Sequence, residues 1–278
     1  MLKANKKLSR FEHPPINEVV CGVAFKRIPG IDAYTTGDYW KTRREDFPKR
    51  EARPPFVPLH LITGTPAQTM PSEFPVSNTW LISADDSRVL QIQDNRLHLN
   101  WRRVSIEDRS LYPRFHSRES KGLLDQFIRE YAIFSQFIQQ NASVDQQAPS
   151  ITEVSLSKID HLMQGVHWND ASDIIKLIPS ISSFTDLKEQ DQALPRFNVS
   201  FNESSSSLNA GTSIVTAFHT DPSGKNHHFL RLESTVYLAV DDNLERIRTG
   251  LECANDHLNA IFSNLIPNHD QVFVSLPQ

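Results

Sequence analysis

The sequence predicts an α+β fold of two similar halves, each an antiparallel sheet with helices packed on one face, in a pseudo-twofold arrangement. Three observations predict it. An apolar run with one early carboxylate, Ile16 to Phe25, follows the diproline Pro14-Pro15. Short alternating segments separated by turn residues then mark antiparallel strands rather than parallel crossovers. Long amphipathic patterns over 118–140 and 243–265 close the two halves.

The elements follow in order. Each proline fixes φ and lacks an N–H, so the first strand begins only after Pro15 and is buried on both faces or nearly so over 16–25. From Tyr34 to Phe47 the spacing of Trp40 and Phe47 places both on one helical face. Residues 51–77 carry Pro54, Pro55, Pro58, Pro66, Pro71 and Pro75 and read as an irregular connection over the surface.

Three strands come next: Thr79 to Ser83, Val89 to Gln93 and Arg96 to Trp101. The turns are Asp85-Asp86-Ser87 and the two-residue Asp94-Asn95. Leu90, Ile92, Leu97, Leu99 and Trp101 face inward; Gln91, Gln93, Arg96, His98 and Asn100 line the other face. The helix over 118–140 repeats Leu123, Phe127, Tyr131, Phe134 and Ile138. Ser117 is its expected N-cap, with Glu119 favourable near the positive helix end. The polar stretch Asn141 to Ser150 is the joint between the halves.

The second half repeats the order. It has a strand from Ile151 to Leu162, a short helix from Asp170 to Ile178 stopped by Pro179, and strands near 196–203, 211–220 and 228–240. Asp221-Pro222-Ser223-Gly224 turns the last hairpin. Asp241 or Asp242 caps the final helix and Pro267 ends it. The expected organisation is a disordered 1–10, a first half over 11–147 and a second over 148–278, together one compact unit.

Composition narrows the class. At 278 residues, one large core or two fused halves both fit. A net charge of −4 gives no global reason to bind nucleic acid or an anionic membrane. Locally, Lys41, Arg43, Arg44, Lys49, Arg50 and Arg53 outweigh Glu45, Asp46 and Glu51, forming either a solvated face or a basic patch. Cys21 and Cys253 sit far apart in apolar surroundings, which suits reduced thiols and a cytoplasmic location. The basic N-terminal decapeptide leads into no apolar segment of signal-peptide type, and no run reaches a bilayer-spanning length.

Several short motifs carry a resemblance. They are Pro14, Pro15, Ile16, Glu18 and Val19; then Gln91, Asp94, Asn100, Trp101 and Arg102; then Tyr112-Pro113 and Phe127; and finally His257, Ile261 and Phe262. Over roughly 11–266 the chain resembles a sporadically distributed family of uncharacterised bacterial proteins of about this length. That family opens with an Asn-Pro-Pro-apolar-x-Glu-Val-like motif. His13 stands where the resemblance leads one to expect Asn, and Ser157-Lys158-Ile159-Asp160 replaces an Arg-x-x-Asn-like strand end. The resemblance transfers no catalytic residue. The family's patchy distribution is like that of genes in antiphage-defence and toxin–antitoxin-like loci, an association rather than a mechanism.

Candidate binding residues are Glu18, Asn100, Trp101, Arg102, Arg103 and His257. In the tetrad Asn100-Trp101-Arg102-Arg103, Trp101 stacks a base while an arginine holds a phosphate or carboxylate. Alternatively, Trp101 ends a core strand and the arginines pair with Glu107 or Asp108. Glu18, in an apolar strand, needs a cation or several donors, and Arg102 is the expected partner. His257, beside the core position Leu258, either bonds a neighbouring carbonyl or lines a cleft between the halves.

His161 and His167 are six apart, and His219, His227 and His228 flank the Asp221–Gly224 turn and could converge across a hairpin, but adjacent His227 and His228 point to opposite faces of a strand and no metal-ligand motif supports the group. No metal, cofactor or catalytic residue is expected. The leading expectation is a non-enzymatic recognition protein with a protein partner, off the membrane, with homodimerisation open. The alternatives are nucleic-acid binding through Trp101, Arg102, Arg103 and the basic segment, or a small-ligand receptor or enzyme using the cleft.

Overall fold

Strand alternation decides the architecture. In β1 (Ile16–Phe25), Val19, Cys21, Val23 and Phe25 point to one side and are buried, while Glu18, Val20 and Gly22 point to the other. The computed structural model describes residues 15–54, 78–104, 114–116, 122–141, 149–180, 198–204, 208–220, 226–239 and 243–268. The remaining first-half elements are α1 (Ala33–Arg43), β2 (Lys49–Arg53), β3 (Asn78–Ile82), β4 (Arg88–Gln93), β5 (Arg96–Arg102) and α2 (Leu123–Gln140). Then come β6 (Ile151–Met163), α3 (Ala171–Leu177), β7 (Asn198–Ser204), β8 (Leu208–Thr220), β9 (Asn226–Ala239) and α4 (Leu244–Leu265). The fold is α+β.

Among the described residues the strands form one nine-stranded antiparallel sheet in the order β2-β3-β4-β5-β1-β6-β9-β8-β7. β1 and β6 lie side by side, with Cys21 opposite Leu156. They are flanked by β5 and β9, then by β4 and β8, then by β3 and β7. The four helices among the described residues pack on one face of the sheet. Tyr39 of α1 meets Phe134 and Phe137 of α2 edge-on at 5.6 and 5.1 Å. The main core joins Val19, Leu99 and Phe127 to Leu156, Val236, Leu251 and Leu258, and so spans both ends of the chain. A smaller core gathers Leu162, Trp168, Ile174, Ile214 and Leu232 beneath α3.

Four local expectations change. Helix α1 ends at Arg43 rather than running to Phe47, and Trp40 meets Phe47 because its indole Nε1 donates to the Phe47 carbonyl at 2.9 Å. Lys49–Arg53 is an edge strand, not the start of an irregular connection. Its five exposed, mostly charged residues lack the alternation that marks half-buried strands. Helix α2 is preceded by Gly122, which gives no side-chain cap; Ser117 and Glu119 lie outside the described residues. Asn243 caps α4 by accepting the Glu245 N–H at 2.8 Å, while Asp241, Asp242 and the Asp221–Gly224 turn lie outside the described residues. No helix is long and apolar enough to cross a membrane among the described residues.

Candidate functional site

The sheet face opposite the helices is polar and buried. Gln91, Gln93, Arg96, His98, Asn100, Ser155 and Thr235 are all under a tenth exposed. Side-chain amides cross it as a ladder: Asn78 Nδ2 donates to Gln91 Oε1 at 3.1 Å, and Gln91 Nε2 to Asn100 Oδ1 at 2.9 Å. Asn100 Nδ2 then donates to Glu18 Oε1 at 2.6 Å. Such a chain satisfies groups that would otherwise be costly to bury.

Burial raises the Glu18 carboxyl above its usual range, while the Asn100 bond and the Arg102 and Arg231 charges pull it back. Asn100, not Arg102, is therefore the direct partner of Glu18. The Arg102 guanidinium instead donates its Nε–H to the Asp86 carbonyl at 2.8 Å. Beside this ladder His98 lies over Gly22, and burial drives the imidazole down to about 3, leaving it neutral.

The tetrad divides across the sheet. Trp101 is 5% exposed in the core beneath the helices, so its ring is withheld from any base. Asn100 and Arg102 face the other way, and Arg103 leaves the strand with its backbone N–H on the Asn17 carbonyl at 2.7 Å. Glu107 and Asp108 lie outside the described residues. His257 is half-buried on α4, on the helix side of the sheet, and Glu18 is on the opposite side. Glu18, Arg102 and His257 therefore do not converge on one cleft.

The basic segment is also divided. Arg43 is drawn inward, where one guanidinium nitrogen donates to both oxygens of buried Glu130 at 2.8 and 2.9 Å and reaches Asp46 at 3.0 Å. Lys41 pairs with Asp38 and Lys49 with Asp86, both at 2.8 Å. Arg53 pairs with Glu51 and stacks on Trp80 at 5.1 Å. Arg44 and Arg50 differ: both lie over the Trp40 ring, at 5.4 and 5.3 Å, and neither meets a carboxylate among the described residues. Cation–π contact satisfies the guanidinium face and leaves the N–H edge to bond anions.

A second charged group lies on the helix side of β6. Lys158 Nζ donates to Asn259 Oδ1 of α4 at 2.6 Å, and Asp160 follows two residues along the same face. Burial lowers the Lys158 amine to about 8 against the opposing pull of Asp160, Cys21 and Asp256. It raises the Asp160 carboxyl to about 7 against Lys158 and Arg103. Read from sequence, Lys158 and Asp160 were only a departure from a motif. The available signal was two opposite charges in step with the core positions Leu156 and Leu162.

The described histidines have structural partners. His161 stacks on Phe229 at 4.2 Å, and His167 Nδ1 accepts the Met163 N–H at 2.7 Å. The side chains of His219, His227 and His228 lie outside the described residues. Among the described residues no three His, Cys, Asp or Glu side chains gather as metal ligands. No protein-family model and no curated protein matches the chain.

Proposed function

We propose that the protein is a non-enzymatic recognition protein that binds an acidic segment of a protein partner at the edge formed by β2 and the end of α1. The carrying observation is the pair Arg44 and Arg50, both over Trp40 and both without a carboxylate among the described residues. Two fork-shaped donors on one aromatic plane match carboxylates better than a lone lysine does. Because β2 ends the sheet order among the described residues, an extended partner segment has a strand edge to follow there. Glu18 belongs to a structural ladder in this reading, since its carboxylate is held by Asn100.

The strand order flanking β1 and β6 supports an internal duplication of two halves about a pseudo-twofold axis. The free thiols Cys21 and Cys253 favour a cytoplasmic setting. Native mass spectrometry of untagged protein from its own host tests the function. A protein partner retained by wild type and lost by Arg44→Glu with Arg50→Glu supports it; a partner that the double variant retains overturns the assignment of the edge. Retained nucleic acid, released steeply with salt, would favour the nucleic-acid alternative on the same arginines.

A further inference from the structure

Helix α1 and strand β2 run alongside one another in opposite directions. Thr36 meets Thr79, the partner of Ala52 in the register, through a hydroxyl contact of 3.2 Å. Farther along the helix, Trp40 bonds the Phe47 carbonyl just before β2 begins. Arg50 lies between these two contacts: a Cβ on Gly37 would stand 3.1 Å from its Nη1. Glycine inside a helix sacrifices propensity, and here it leaves the guanidinium room to lie close. Within β2 the side chains alternate. Arg50 turns to the helix side, whereas Lys49 and Arg53 turn away from it, Lys49 to Asp86 and Arg53 over Trp80.

Arg50 comes to Trp40 from beside Gly37, one turn before the ring, and Arg44 comes from one turn after it. The two charges therefore flank one indole, their guanidinium carbons 5.3 and 5.4 Å from its centroid. Neither meets a carboxylate among the described residues. Granted the reading that the β2 edge takes an acidic segment, this spacing selects the sequence of that segment. Side chains on one face of a strand stand about 6.8 Å apart at i and i+2, and about 14 Å apart at i and i+4. The wider pair overreaches two guanidiniums that share a ring, and acids at i and i+1 point to opposite faces. We propose that the protein recognises an acid-x-acid motif in an extended partner segment, laid along β2 with both carboxylates on the α1 side. Arg44 holds one carboxylate and Arg50 the other, through the N–H edges that the indole leaves open. The opposite face of the motif meets Lys49 and Arg53, which already pair with Asp86 and Glu51, so acids there gain nothing.

Fluorescence anisotropy of the full chain with labelled threonine-rich peptides tests the motif, at about 50 mM salt so that surface charges are weakly screened. The peptides share length, composition and net charge, and place two aspartates at i and i+2, at i and i+1, or at i and i+4. The i,i+2 peptide is expected to bind about tenfold more tightly than the other two. That preference should vanish in Arg44→Gln and in Arg50→Gln; a preference that survives both would overturn the assignment to these residues. It should also shrink in Gly37→Leu, which displaces the Arg50 guanidinium, leaves every charge in place and favours the helix. If either of the other peptides binds wild type as tightly, the spacing is overturned. Loss of that binding in Arg44→Glu with Arg50→Glu would still leave the acidic edge standing. If no aspartate peptide binds more tightly than its asparagine counterpart, the edge reading falls and the motif with it. A thymidine oligonucleotide that binds more tightly than the i,i+2 peptide would overturn the choice of a protein segment. The wild-type comparison alone decides the spacing, even where a variant fails to fold.

Discussion

A hydrogen at Gly22 is what lets His98 lie across β1. A Cβ there would meet His98 Cδ2 at 2.0 Å and Nε2 and Ser155 Oγ at 2.7 Å. The ring is buried within the sheet and cannot swing into solvent, so Gly22→Ala should cost about 1–3 kcal/mol by overpacking. Urea unfolding should show much of that loss recovered in Gly22→Ala with His98→Ala, a non-additivity that separate causes would not give.

The same ring sets a pH dependence. The His98 value is depressed to about 3, so between pH 6.5 and 3 the unfolded chain binds a proton that the native chain refuses. The contribution of His98 to stability must therefore fall as pH drops below 6.5. Glu18 and Asp160, raised in the fold, act in the opposite sense, because the native state takes up their protons first. Subtracting the unfolding curve of His98→Gln from wild type isolates the histidine: the difference should shrink from pH 7 to pH 4. Alternation in the sequence assigned His98 and Asn100 to one face of their strand and gave no face to Glu18. It could not choose the partner of Glu18, because Arg102 stands directly opposite Glu18 in the register, yet its guanidinium turns to the Asp86 carbonyl and leaves the carboxylate to the diagonal Asn100.

At the scale of elements, α1 is pinned at both ends. Asp32 accepts the Tyr34 and Thr35 N–H groups at 2.9 and 2.8 Å, and Arg43 in the last turn reaches Glu130 on α2. Burial raises the Glu130 carboxyl while Arg43 opposes the shift, so each ion depends on the other. Arg43→Met should cost about 3 kcal/mol, because it strands a buried carboxylate. Arg43→Met with Glu130→Leu should cost much less, as a thermal melt of the three variants would show. A larger loss in the double variant would mean that the ion pair itself holds the helices. Here the sequence was legible where periodicity was strong. Helices α2 and α4 and strands β4 to β6 fall within a few residues of expectation, whereas the charged strand β2 carries no apolar alternation to read.

Over the whole molecule, a one-dimensional pattern gives each strand's faces but not its neighbours, so the sequence left open whether the two sheets pack or join edge to edge and could not place the central β1–β6 seam. That seam has an energetic consequence. β6 hydrogen-bonds along nearly all of β1, and one core draws Val19, Leu99 and Phe127 from the first half and Leu156, Val236 and Leu258 from the second. A fragment covering 148–278 would expose both an apolar face and a long unpaired strand edge, a combination that leads to association or unfolding. The intact chain should therefore unfold in one transition, coincident by tryptophan fluorescence and far-ultraviolet circular dichroism. The fragments 1–147 and 148–278 should lack cooperative transitions alone and regain one when refolded together. A sharp independent melt of either fragment would show that the β1–β6 contact joins two finished domains instead of completing one.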